Sequence, residues 1–178
     1  VSATDVQQWN EQCGTDAVRI WLDEIATMDN NQELTLVQPS FSLTEQTSLS
    51  LLQAAINKAG ELGIKATVSV VDASGRQLAF LKMAGSFLVS SELSQKKAIT
   101  AAGMGLNTVD LENVLASAPA RVLDGLNQAG DFTMIGGGVP LYRDGVLVGG
   151  IGVSGGSEDE DIECARFAAQ AIDLAKES

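Results

Sequence analysis

Near the end of the chain an Asp-Gly pair, Asp144-Gly145, stands between two apolar runs, and it constrains the fold more than any other feature. A type I′ turn needs positive φ at both central residues. Asp-Gly supplies this at little cost, so the flanking runs are expected to pair as an antiparallel hairpin. The second run, 146–153, carries Gly149, Gly150 and Gly152. Glycine weakens a strand, so such crowding marks a surface where another backbone or a ligand comes close. Ahead of the first run, Gly136-Gly137-Gly138-Val139-Pro140 leaves bare backbone N–H groups that could face an anion.

The remaining elements follow from periodicity and punctuation. Val6, Trp9, Cys13, Ala17, Ile20, Ile25 and Met28 recur at spacings of three and four, which predicts a helix over 3–28. Leu34 to Val37 reads as a short extended piece. Ser42 with Glu45 forms a capping box for a second helix, striped by Leu49, Leu52, Ile56 and Ala59 and closed at Gly63. Ala66–Val71 and Gln77–Lys82 predict a second hairpin around Asp72-Ala73-Ser74-Gly75. Helices are expected from Ser90 or Ser91 to Met104, from Asn107 to Leu115, over Ala118–Gln128 and from Ser157 onward, with a short strand at Phe132–Ile135. Strands come as hairpins rather than singly between helices, which argues an α+β fold with an antiparallel sheet. Residues 1–40 form an N-terminal helical extension and 41–178 the main domain.

Composition excludes several functions. With 23 acidic against 11 basic residues the net charge is −12. Nucleic acid and anionic membrane surfaces are therefore not expected as partners, since both are held by positive charge. No histidine is present, which removes imidazole metal ligation and Ser-His-Asp catalysis. The two cysteines, Cys13 and Cys164, show no CxxC spacing and are expected as buried free thiols. A disulfide between them would need Cα atoms within about 7 Å. No apolar run is long enough to span a bilayer, and no signal peptide is visible, so a soluble protein is expected, cytoplasmic or exported after processing.

Several stretches resemble a known family. They are Thr67 to Gly75, Lys97 to Ala102, Gly136 to Leu141, Gly149 to Gly156, and Asp161 to Ala165. Their order and residues are similar to the HbpS/GlcG-like family, which also occurs as the C-terminal domain of PduO-type proteins. The resemblance covers 41–176. It implies a profilin-like domain with a five-stranded antiparallel sheet, assembly into homo-oligomers such as octamers, and binding of haem or a related tetrapyrrole.

Candidate site residues are read beside that resemblance. Gly136, Gly137, Gly138, Val139 and Pro140 are either a pocket wall that meets a carboxylate or a set of tight packing positions. Lys97 matches a lysine of the family and could receive a small anionic molecule, with Lys96 adjacent; Arg143 and Arg121 are further anion-binding candidates. Haem iron takes His, Cys, Met or Tyr. Without histidine the ligand candidates are Tyr142, Met83, Met104, Met134 and Cys164, and Tyr142 adjoins the glycine loop. Asp159, Glu160 and Glu163 could gather a hard cation on one helical face. The other reading of these acids is a capping box from Ser157 to Glu160 with carboxylates at a helix N-terminus. The resemblance thus implies a haem- or tetrapyrrole-binding protein. The alternatives are an enzyme for a small organic acid or aromatic substrate, and an oligomeric structural module.

Overall fold

A computed structural model describes residues 40–175. The expected helix over 3–28, with Cys13, and the extended piece at 34–37 lie outside the described residues. Helix α1 spans Glu45–Glu61, strands β1 and β2 span Thr67–Asp72 and Gln77–Lys82, and helix α2 spans Ser90–Met104. A 3₁₀ turn at Thr108–Asp110 leads into α3, Leu111–Leu115, and α4, Ala120–Gln128. Strands β3, Gly138–Arg143, and β4, Val146–Ser154, precede the last helix, α5, Glu158–Ala171.

Turn chemistry placed most boundaries. Asp144 and Gly145 have φ of 50° and 75°, as a primed hairpin turn demands. Gly63 and Gly105 end α1 and α2 at φ of 75° and 62°. Ser157 caps α5 in a full capping box with Glu160. The start of α1 differs from expectation. Its N-cap is Thr44, whose hydroxyl accepts from the Thr47 N–H at 3.2 Å, and Ser42 lies outside the helix.

The sheet is antiparallel with order β2-β1-β4-β3. Among the described residues it has four strands, not the expected five. Phe132–Ile135 forms none, because its backbone is tied to α2: Thr100 Oγ1 donates to Asp131 O at 3.1 Å and accepts from Thr133 N–H at 3.0 Å.

Side chains alternate across a strand, so each strand feeds two layers. Val68 and Val70 of β1, Val139 and Leu141 of β3, and Ile151 and Val153 of β4 join Leu51 and Ala55 of α1 and Cys164, Ala165 and Ala168 of α5 in the main core. Opposite, Val71 packs with Ala98 and Ala102 of α2, and the Ser69 hydroxyl meets that of Ser94 at 2.9 Å. Among the described residues helices therefore flank both faces: α1 and α5 on one, α2 on the other.

Candidate functional site

Gly138 of β3 and Gly150 and Gly152 of β4 are the seat of α2, whereas Gly149 faces Val71 O of β1. A Cβ on Gly152 would collide with Ser94 O and lie 2.6 Å from Ala98 N. On Gly150 it would lie 2.5 Å from Ala98 O. On Gly138 it would collide with Lys97 O and stand 2.6 Å from Thr108 Cγ2. The close approach expected from sequence is thus met by a helix backbone rather than a ligand.

The loop before β3 does hold a carboxylate, and it is the protein's own. The Gly136 N–H donates to Glu158 Oε1 at 2.6 Å, and the Gly138 N–H donates to Thr108 Oγ1 at 3.0 Å. Gly137, at φ 108°, accepts from the Val153 N–H at 2.9 Å. All five residues 136–140 are buried.

Lys97 is equally committed. It is 1% exposed, and its Nζ donates to Asp161 Oδ2 at 2.7 Å and to Val153 O at 2.9 Å. Asp161 Oδ1 accepts from the Gly156 N–H at 3.0 Å. Burial pushes the Asp161 carboxyl above the usual carboxylate range, while the Lys97 ammonium and the Gly156 and Gly155 N–H groups pull it down. The anion that Lys97 receives is therefore internal. Lys96, one residue away, turns outward and pairs with Glu92 at 2.7 Å. Sequence reading missed Asp161 as the partner, although it lies in a stretch that carries the family resemblance. The signal was available in principle, because a lysine on a helix packed against glycines needs a counter-charge.

Three of the clefts on the described surface bear on these residues. One of about 270 Å³ lies between the end of α2 and α5; Val139 and Pro140 line it with Gly105, Leu106, Arg166 and Gln170. A second, of about 450 Å³, is lined by Leu43, Val146, Ile172 and Arg143, among others. A third, of about 460 Å³, runs along α5 past Lys58, Phe167, Arg166 and Gln170. Gly136, Gly137 and Gly138 line none of the three.

Tyr142 and Arg143 are neighbours in sequence and go to different places. The Tyr142 hydroxyl donates to Gly105 O at 3.0 Å, at the rim of the first cleft. Arg143 is exposed at the second and donates to Asp173 at 3.1 Å, with Asp144 beside it. Arg121 is exposed on α4.

The remaining donors divide as follows. Met83 Sδ accepts from the Ala66 N–H at 3.3 Å. Cys164 is a free, fully buried thiol, and burial followed by the Asp161 carboxylate pushes it up to about 12. Met134 is half-buried, and Met104, on the last residue of α2, is exposed. The acids at the start of α5 separate: Glu160 closes the capping box, Glu163 pairs with Lys58 at 2.7 Å, and Asp159 is exposed. Among the described residues no group of three or more acids or cysteines could hold a metal ion. No helix among them is long and apolar enough to cross a membrane.

Comparison with known proteins places this geometry. Residues 43–170 match the family of haem-degrading HbpS-like proteins. The chain is 40% identical over 139 residues to the corrinoid adenosyltransferase PduO of Citrobacter freundii, a match covering 77% of this chain and 41% of that protein. It thus spans about two fifths of the length of that relative. A solved PduOC:haem complex superposes with a TM-score of 0.70 at 38% identity, covering 77% of this chain and 99% of that one. An HbpS double mutant from Streptomyces reticuli superposes with a TM-score of 0.69 at 30% identity, covering 76% of this chain and 90% of that one.

Proposed function

The chain belongs to the HbpS-like family, and on that ground we propose that it binds haem or a related tetrapyrrole. The observation that carries the reading is its likeness to nearly the whole of a chain solved as a PduOC:haem complex. The corrinoid relative keeps the related-tetrapyrrole reading beside haem.

The cleft between α2 and α5 supports this. Leu106, Val139 and Pro140 supply apolar wall, and Arg166 and Gln170 supply a polar rim. At about 270 Å³ it falls below the roughly 300–1,000 Å³ of pockets that enclose drug-sized ligands. It would therefore grip one edge or face of a porphyrin and leave the other open. Of the five ligand candidates, Cys164 is sealed in the core and Met83 is occupied. Tyr142 donates to the carbonyl of Gly105, a residue that lines the cleft, and is the ligand candidate we carry forward. Bound haem would supply a redox-active iron; this chain's own part is to hold and orient it.

Open faces fit a homo-oligomer. Phe87, Leu88 and Val89 are 66%, 87% and 59% exposed, and edge strand β2 exposes Leu78 and Phe80. Apolar clusters of this kind are normally covered by a partner. Native mass spectrometry of the full chain is expected to give a multiple of the protomer; a monomer would overturn the homo-oligomer.

Haem titration of the full chain, followed by absorbance, tests the function. A saturable Soret shift near one equivalent is expected, with its position altered in Tyr142→Phe and unchanged in Met104→Ala. No saturable shift with haem or with a corrinoid would overturn the reading.

A further inference from the structure

Resting on that reading, we propose that Arg166 is the specificity-determining cation of the site, and that it selects tetrapyrroles carrying free carboxylate side chains.

Of the nine described lysines and arginines, most are already committed. Lys58, Lys96, Lys97 and Arg143 are paired with Glu163, Glu92, Asp161 and Asp173. Lys82 is held by Ser86, whose hydroxyl it meets at 2.6 Å. Besides Lys82, four cations have no ion pair among the described residues: Lys65, Arg76, Arg121 and Arg166. Lys65, Arg76 and Arg121 line none of the three clefts, whereas Arg166 lines two of them.

Its placement explains why it stays available. Arg166 stands on the exposed side of α5, between Ala165, which faces the core, and Phe167. The acid one turn earlier, Glu163, is taken by Lys58 at 2.7 Å. The acid across the first cleft, Asp110, accepts from Asn107 Nδ2 at 2.7 Å. These two carboxylates are thereby engaged. A further acid at the α5 cleft, Asp159, forms no ion pair with Arg166, and the guanidinium has no ion pair among the described residues of a chain of net charge −12. Gln170, one turn further on, lines the same two clefts and adds an amide donor. Arginine holds a carboxylate bidentately, so two donors on one helical face suit a ligand with acidic side chains. Haem carries such groups; a corrinoid ring whose side chains are amides does not.

Three titrations of the full chain test this: with haem, with its dimethyl ester, and with both against Arg166→Gln, circular dichroism verifying that the variant is folded. Wild type is expected to bind haem about tenfold or more tightly than the ester, the size of one charge-assisted contact. Arg166→Gln is expected to bind both alike, and Arg166→Lys to keep part of the preference. Equal binding of haem and ester by wild type would overturn the proposal while leaving tetrapyrrole binding intact. So would a preference that survives in Arg166→Gln. Binding of neither compound by wild type would overturn the tetrapyrrole reading, and this inference with it.

Discussion

Lys97 of α2 and Asp161 of α5 meet 2.7 Å apart with side chains 1% and 5% exposed, across the end of β4. One residue comes from each side of the sheet, so the pair ties the two helical layers together. Removing one partner leaves a buried charge alone, which costs about 3–5 kcal/mol; replacing both with apolar residues of similar size is often neutral. Lys97→Met and Asp161→Leu are each expected to lose that much in urea unfolding, and the double variant to recover most of it. Additive losses would show that the two side chains act separately.

Glycines of one chain should answer alanine in opposite directions. Gly152→Ala places a methyl against Ser94 O and Ala98 N and is expected to destabilise by about 1–3 kcal/mol or more. Gly125, inside α4, has nothing within 4 Å of an added Cβ. Gly125→Ala is expected to stabilise by about 0.5–1 kcal/mol through helix propensity. Thermal unfolding of the two variants checks both signs.

Cys164 makes a prediction at alkaline pH. Its folded value, about 12, lies above the ordinary 9.0, so between those values the folded state holds a proton that the unfolded state has released. This contribution is complete below about pH 9 and is lost as pH rises toward 12, at about 1.4 kcal/mol per unit. The difference in stability between wild type and Cys164→Ala is expected to shrink across that window. At neutral pH a thiol reagent should modify Cys164 only after unfolding.

The cap of α5 is separable from the acids around it. Ser157→Ala removes the hydroxyl that bonds both the Glu160 carboxylate and its N–H, and is expected to cost about 1 kcal/mol. Asp159→Asn, at an exposed position in the same turn, should cost less, since it weakens only the attraction to the helix dipole. Parallel urea melts would show the order.

Local chemistry was legible from sequence wherever it is set by nearest neighbours. Asp144-Gly145, Gly63 and the Ser157–Glu160 box each fix backbone geometry within a few residues, and each stands where the pattern placed it. The start of α1 slipped because Ser42 and Thr44 are both good caps and only packing selects between them. Phe132–Ile135 reads as a strand by composition, yet its backbone bonds to Thr100, a residue some thirty positions earlier that no local pattern reveals. The site was harder to read for the same reason. The glycines and Lys97 stood out, but their partners, Ser94, Ala98 and Asp161, depend on which helix crosses which strand. Arg166 was hidden because its distinguishing property, a place on two clefts with no ion pair among the described residues, exists only in the fold.

The bed of Gly138, Gly150 and Gly152 has a mechanical consequence. Ordinary cores absorb small displacements by rotamer changes, because side chains stand between the backbones. Where α2 crosses these glycines there is no such cushion, and main chain rests directly on main chain; only over β1 do Ser69 and Val71 stand between. A push on that helix must be transmitted as a rigid translation or not accepted at all. Movement that admits a ligand would then fall to the segments that border the cleft, Gly105–Asp110 and the end of α5, while the sheet and α2 behave as one stiff plate.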